Sequence, residues 1–350
     1  QFYVGGFIGD LYSTGIIRNC YSESLVVLNT ASDSTDTFSL AAGGFAGRIG
    51  LNMDIRVSYC YAKGNVSVLG YNYIYAGGFC GIFNSSAFAS FCYAAGNVSA
   101  ILLGNIEGAF INAGGFAGTA RSLSDCYALG EVFVYASSNR AINAGSLVGR
   151  INGNGERIYR SFARGDVIVQ TTSGTAANIN VGGLVGSNRD ASTIQNSVSL
   201  AGSITVMGFP APDDAENRRF SRILGMPNTG SNAPTLTNNH AYIDMKLYHK
   251  TDPSTIGTTI DLTTVPDIGV VSSANGKDGA NVTLGTLRSL PFWEDTLGFD
   301  ENVTITDSAV SVNNPTGLAA DTYPAWNFST VGARGYPILR TWDGSIMGGQ

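Results

Sequence analysis

Charge is scarce in this chain. Charged residues make up 13% of its 350 positions, about half of the roughly 25% usual in globular proteins. Lysine is nearly missing, with Lys63, Lys246, Lys250 and Lys277 the only copies, and the net charge is -6. Without clustered Lys and Arg to neutralise phosphates, nucleic acid is not an expected partner. No apolar run reaches 18 residues, so no membrane insertion is expected. The two histidines, His240 and His249, belong to no His-Glu-x-x-His, which removes the metalloprotease helix. Cys-x-x-Cys, the usual zinc spacing, is missing as well. So are a Gly-x-Ser-x-Gly elbow before a helix and a phosphate-cradling Gly-Lys-Ser/Thr loop. No catalytic, metal or cofactor-binding residue is assigned, and no cofactor is expected.

Glycine, in contrast, is abundant at 45 residues, while 44% of the chain is apolar. That pairing excludes a disordered glycine linker and suggests many short strands and turns. The glycines are periodic. Gly-Gly-Phe-x-Gly begins at Gly5, Gly43, Gly77 and Gly114, and variants begin at Gly145 and Gly182. A worn seventh copy is Ser221-Arg-Ile-Leu-Gly225. Start positions differ by 31 to 39 residues. A second signature follows each motif: Cys20-Tyr21, Cys60-Tyr61, Cys92-Tyr93, Cys126-Tyr127, then Ser161-Phe162 and Ser197-Val198. Alternating apolar pairs come next, as at Val66 and Val68 or Val132 and Val134. That is the period of a strand.

Each unit thus reads as three strand-like runs, for example Ala76–Ile82, Ser90–Tyr93 and Asn97–Ser99, with no helix between them. Repeats of this size without helices fit a parallel β-solenoid. The expected fold is all-β: a right-handed parallel β-helix (β-solenoid) of about seven coils over 1–250, with a C-terminal capping region over 251–350. The motif glycines are expected to serve positive φ and close backbone approach at a corner.

The pattern resembles the GLUG-motif repeat, named for a Gly-Leu-x-Gly core. Gly182-Gly-Leu-Val-Gly186 and Gly145-Ser-Leu-Val-Gly149 match that core, and the Gly-Gly-Phe copies are close variants. The run Cys-Tyr-Ala-x-Gly-Asn-Val is similar to the second half of that family's unit. Phe292-Trp293, Leu297-Gly-Phe-Asp300, Trp326-Asn-Phe328 and Tyr336-Pro-Ile-Leu-Arg340 resemble the segment that often closes such arrays. The resemblance implies a region of a large bacterial surface or secreted protein, either an adhesin or a non-catalytic part of a secreted peptidase. It therefore implies an extracellular or cell-surface location, and a glycan or a host or extracellular protein as partner. Gln1 is not an initiator Met, and the chain is expected to be part of a longer one.

If the repeated Cys points inward, its neighbour points outward. Tyr21, Tyr61, Tyr93 and Tyr127 then form a candidate ligand-binding row of exposed aromatic rings; the alternative is that stacked rings stabilise the coil or are covered by loops. The five cysteines, replaced elsewhere by Ala, Val or Ser, read as a ladder of small buried residues rather than a disulfide framework. Inserts at Thr30–Leu40, Ile101–Ile111, Ala136–Ile142, Thr171–Ile179 and Met207–Arg219 are expected to leave one corner, the first candidate binding surface; the alternative is that they are merely tolerated surface loops. A glycan-active enzyme, the alternative function, needs convergent acids. The densest acids are Asp213, Asp214 and Glu216, beside Arg218 and Arg219; this segment reads as a solvated loop, a calcium site being the sharper alternative. Trp293, Trp326 and Trp342 are read as a hydrophobic lid, with a sugar-stacking platform as the alternative.

Overall fold

A computed structural model of the chain describes residues 1–30, 38–50, 54–84, 87–104, 106–137, 140–172, 178–208, 219–227, 229–251, 270, 272–299, 302–304, 322–324 and 326–340. The acidic segment Asp213–Glu216, Arg218 and Trp342 lie outside the described residues. Two compact units are present, Gln1–Thr283 and Leu284–Gln350.

The first unit is a parallel β-solenoid. Each coil carries five strands, not three. In the third coil they are Tyr73–Gly77, Cys80–Phe83, Ala87–Ser90, Tyr93–Ala94 and Val98–Leu102. Equivalent strands stack into five parallel sheets, named here A to E in chain order. Sheets A, B, C and E have seven strands and sheet D has eight. Seven rungs make about six full turns from the first equivalent strand to the last, slightly fewer than the seven coils expected. Register is kept throughout: Val66 pairs with Val98, Val98 with Val132, and Val132 with Val167. Like therefore stacks on like. Phe45, Phe79 and Phe116 lie face to face at 4.7 and 4.8 Å, the hydrogen-bonding spacing of strands.

The two extra strands come from bends inside runs that read as continuous. One bend is at the Gly-Gly pair, and its cause is space alone. None of the Gly-Gly glycines has a positive φ, contrary to expectation. A Cβ on Gly43 would instead lie 2.1 Å from the Ala46 carbonyl oxygen and 2.6 Å from Cys80 Cα. The other bend is just before the Cys-Tyr signature. Asn19, Tyr59, Phe91, Asp125, Arg160, Asn196 and Asn238 each take a left-handed conformation there, with φ from 42° to 56°. Such a residue costs roughly 1–2 kcal/mol when it is not glycine. The next side chain secures the bend by donating to the carbonyl two residues back. Cys60 and Cys92 reach Ser58 and Ser90 at 3.3 and 3.2 Å. Ser161 and Ser197 do the same at 2.8 and 2.9 Å. This is why Ser replaces Cys in the column. All five cysteines are free, with Cys60, Cys80, Cys92 and Cys126 buried.

The seventh coil is complete, although its signature is worn away. His240–Tyr242 continues sheet D beside Val198, and Lys246–Lys250 continues sheet E. Residues 272–282 then close this end. Lys277 accepts backbone bonds from Ile223 and Leu224, and Ala280–Val282 pairs with His240–Tyr242. Arg222 stands where five of the other six coils have the second motif glycine and the fifth coil has Ser146. It is fully buried and donates to the carbonyls of Asp278 and Gly279 at 3.0 and 3.1 Å.

The second unit has its own apolar centre. A short helix, Leu284–Leu287, precedes Pro291 and a π-helical turn over Phe292–Thr296. Trp293 is buried and donates Nε1–H to the Leu287 carbonyl at 2.8 Å. Its ring meets Phe299 edge-on, and Phe299 meets Trp326 at 4.8 Å. Both Trp rings are thus core side chains and not a sugar-stacking platform. No helix among the described residues is long and apolar enough to cross a membrane.

Candidate functional site

The tyrosine row forms as a column, but it is not an exposed row. Tyr21, Tyr61, Tyr93, Tyr127 and Phe162 stack within 9° of parallel, with centroids 4.8 to 5.0 Å apart. Alternation holds, since the cysteines join the core cluster and the tyrosines do not. Stacking at the coil spacing, however, covers both faces of every internal ring. Tyr93 and Tyr127 are fully buried and Tyr61 is 9% exposed; only Tyr21, at the first rung, is open at 58%. A sugar needs a free aromatic face, and Tyr61, Tyr93 and Tyr127 offer it none.

All five inserts connect sheet E to sheet A of the next coil, as their flanking strands establish. They share one corner, as their spacing suggests; the central residues 31–37, 105, 138–139, 173–177 and 209–218 lie outside the described residues.

Another surface gathers the polar chemistry that sequence reading missed. It is the seam between sheets A and B. The last glycine of each motif makes this seam possible. A Cβ on Gly47 would lie 2.5 Å from the Val4 nitrogen, and one on Gly149 would lie 2.6 Å from the Ala113 nitrogen. With the two sheets this close, residues on their non-core faces meet. On sheet A the facing row is Tyr3, Ala41, Tyr75, Asn112, Asn143 and Asn180. On sheet B it is Asp10, Arg48, Ile82, Thr119, Arg150 and Ser187.

The rows touch at three levels. At the first two coils Arg48 forks onto both carboxylate oxygens of Asp10 at 2.8 and 2.6 Å. It also donates to the Tyr3 hydroxyl at 2.7 Å and lies 4.0 Å above that ring. The Asp10 hydrogen bond is the main cause holding the Arg48 pKa above its ordinary value. At the fourth coil Asn112 donates to Thr119 at 3.1 Å. Further along, Asn143 donates to Asn112 and Asn180 to Asn143, while Ser187 donates to Asn143 at 2.6 Å. These amides form a polar ladder that ties the two sheets together.

Aromatic rings flank the seam at its rim, over the third coil and beside the amide ladder. Tyr73 and Tyr75 from the third coil and Phe110 from the fourth are half-buried on sheet A. Phe110 packs against both tyrosines, at 5.0 Å from Tyr73 and edge-on at 5.3 Å from Tyr75. Arg150, also half-buried, is close enough for its charge to act on the Tyr75 hydroxyl. Burial pushes the Tyr75 pKa up, and Arg150 opposes that rise. The arrangement offers flat apolar surface beside a guanidinium. Single aromatic residues such as Tyr73 carry no repeat signal, which is why periodicity did not reveal them.

Acid chemistry does not gather here. Asp10 is engaged by Arg48. Elsewhere Asp166 accepts from the Gly202 and Ser203 nitrogens and from Ser203 Oγ. Its neighbour in the adjacent coil, Glu131, has a pKa raised by desolvation and then by the Asp166 charge. Among the described residues there is no group of three or more His, Cys, Asp or Glu placed to hold a metal ion. Comparison with protein-family models, curated proteins and solved structures gave no significant match.

Proposed function

We propose that this chain is a non-catalytic, adhesin-like binding module of a surface-exposed or secreted bacterial protein. It binds an extracellular glycan or protein along the rim of the seam between sheets A and B. The observation that carries this reading is the aromatic group Tyr73, Tyr75 and Phe110, held half-exposed on a rigid sheet beside Arg150. Rings fixed by a stacked backbone lose little entropy on binding, and their faces suit sugar rings or apolar side chains. The GLUG-like repeat supports the same class of role.

A glycan and matrix-protein binding screen with the purified chain, run together with reducing-sugar release, tests the proposal. Saturable binding without product, lost in Tyr75→Ala, is the expected result. Product release would replace the binding module with a glycan-active enzyme. Binding that survives Tyr75→Ala would remove the seam as its location.

A further inference from the structure

Charge along the seam is unevenly spent. Arg48 is matched by Asp10 and Tyr3. Arg189, near the far end, lies 4.0 Å from Asp190 and donates to Asn152 at 3.4 Å. Arg150, between them, has neither a hydrogen bond nor an ion pair among the described residues, and its Nε is buried without a partner. Its row neighbours, Thr119 and Ser187, carry no charge and are engaged with sheet A. Burial and then the charge of Arg189 lower its pKa, while Tyr75 and the Asp190 carboxylate oppose them from beyond ion-pair range. A carboxylate brought by a ligand would satisfy its fork.

Resting on the binding-module reading, we infer that the seam takes an acidic glycan, a chain of sugar residues bearing carboxylates. One carboxylate forks onto Arg150, and sugar faces lie on Tyr75 and its aromatic neighbours. The aromatic surface favours a glycan over an acidic peptide, because a pyranose has an apolar face to lay on a ring whereas Asp and Glu side chains do not. Geometry adds a reason. Arg150 and Tyr75 belong to the fifth and third coils, so they are separated by about two coil rises of about 4.8 Å. A glycan running along the axis meets both through successive residues.

The test uses fluorescently labelled oligogalacturonate and hyaluronan oligomers, each beside its carboxyl-reduced form, with poly-L-glutamate as a charge-only probe. At least one acidic oligomer is expected to bind, about tenfold or more tighter than its reduced form. Arg150→Gln is expected to erase that difference. Arg150→Lys, which keeps the charge and loses the fork, should fall between, and it serves as the working variant if Arg150→Gln does not fold. Equal binding of acidic and reduced oligomers, or of wild type and both variants, overturns the inference and leaves the binding module standing. Polyglutamate binding as tight as the acidic sugars also overturns it, in favour of an acidic protein. Absence of binding to every probe overturns it, and a wider screen without binding would end the module reading too.

Discussion

Replacing Arg222 with glycine restores the repeat and should nevertheless open the closed end of the solenoid. Gly6, Gly44, Gly78, Gly115 and Gly183 occupy this motif position in other coils, so the backbone there accepts glycine. What is lost is the contact with 272–282. Two hydrogen bonds from a buried guanidinium to the Asp278 and Gly279 carbonyls disappear. At about 1.5–3 kcal/mol for each bond to a charged group, the loss is roughly 3–6 kcal/mol. Arg222→Met keeps most of the volume and removes the cost of burying a charge, so about half that loss is expected. A global melt is the wrong assay, because a repeat array need not unfold in one step. Amide hydrogen exchange reads the end directly, through Ile223 and Leu224, which both donate to the Lys277 carbonyl at 2.9 and 3.1 Å. Arg222→Gly should speed their exchange about 100-fold or more, since each 1.4 kcal/mol is a factor of ten. Unchanged protection at both amides would refute the assignment of Arg222 as the residue holding 272–282.

Three further outcomes follow from the columns. Cys92→Ser should stay within about 1 kcal/mol of wild type, because serine makes the same bond at 161 and 197; Cys92→Val loses the bond to Ser90 and should cost about 1–3 kcal/mol by denaturant unfolding. Native-state thiol titration should label Cys20 at most, and slowly, since desolvation raises its pKa and depletes thiolate; all five should label after unfolding. Glu131→Asn should stabilise the fold at neutral pH. The folded pKa of Glu131 is raised above its unfolded value, so whatever stability the carboxyl contributes is present below the unfolded pKa and is lost as pH rises through the folded one. The gain should therefore vanish as pH falls through the carboxylate range, and a pH-independent gain in urea midpoints would contradict it.

Much of this fold is legible because each coil reuses one solution. The Gly-Gly-Phe column, the Cys-Tyr column and the alternating valines give the number of rungs and their register. Five strands per coil were not legible, since the second bend has no residue-type signature. Asn, Tyr, Phe, Asp and Arg all occupy its left-handed position, and the cost is met by the hydrogen bond of the following Cys or Ser. Asn239 takes over that column in the seventh coil, accepting from the Ser197 nitrogen at 3.2 Å through its own side chain. An asparagine in place of a cysteine hid the final signature. Exposure was misread at Tyr93 and Tyr127 because alternation assigns a direction to a side chain, whereas these rings are stacked on aromatic rings of the adjacent coils and fully buried. The seam escaped notice for a related reason. It joins residues from different coils and different sheets, so Arg48 meets Tyr3 across 45 positions.

Register stacking also decides how this molecule would carry load. Each coil bonds only to its neighbours, so tension applied along the stack would detach coils one at a time and not all together. A detached turn of 31 to 39 residues, at about 3.4 Å per residue, would lengthen the chain by roughly 120 Å while the stack shortens by about 4.8 Å. Stretching should therefore consume the solenoid in steps of near-constant length, each step dissipating work while the remaining coils stay folded.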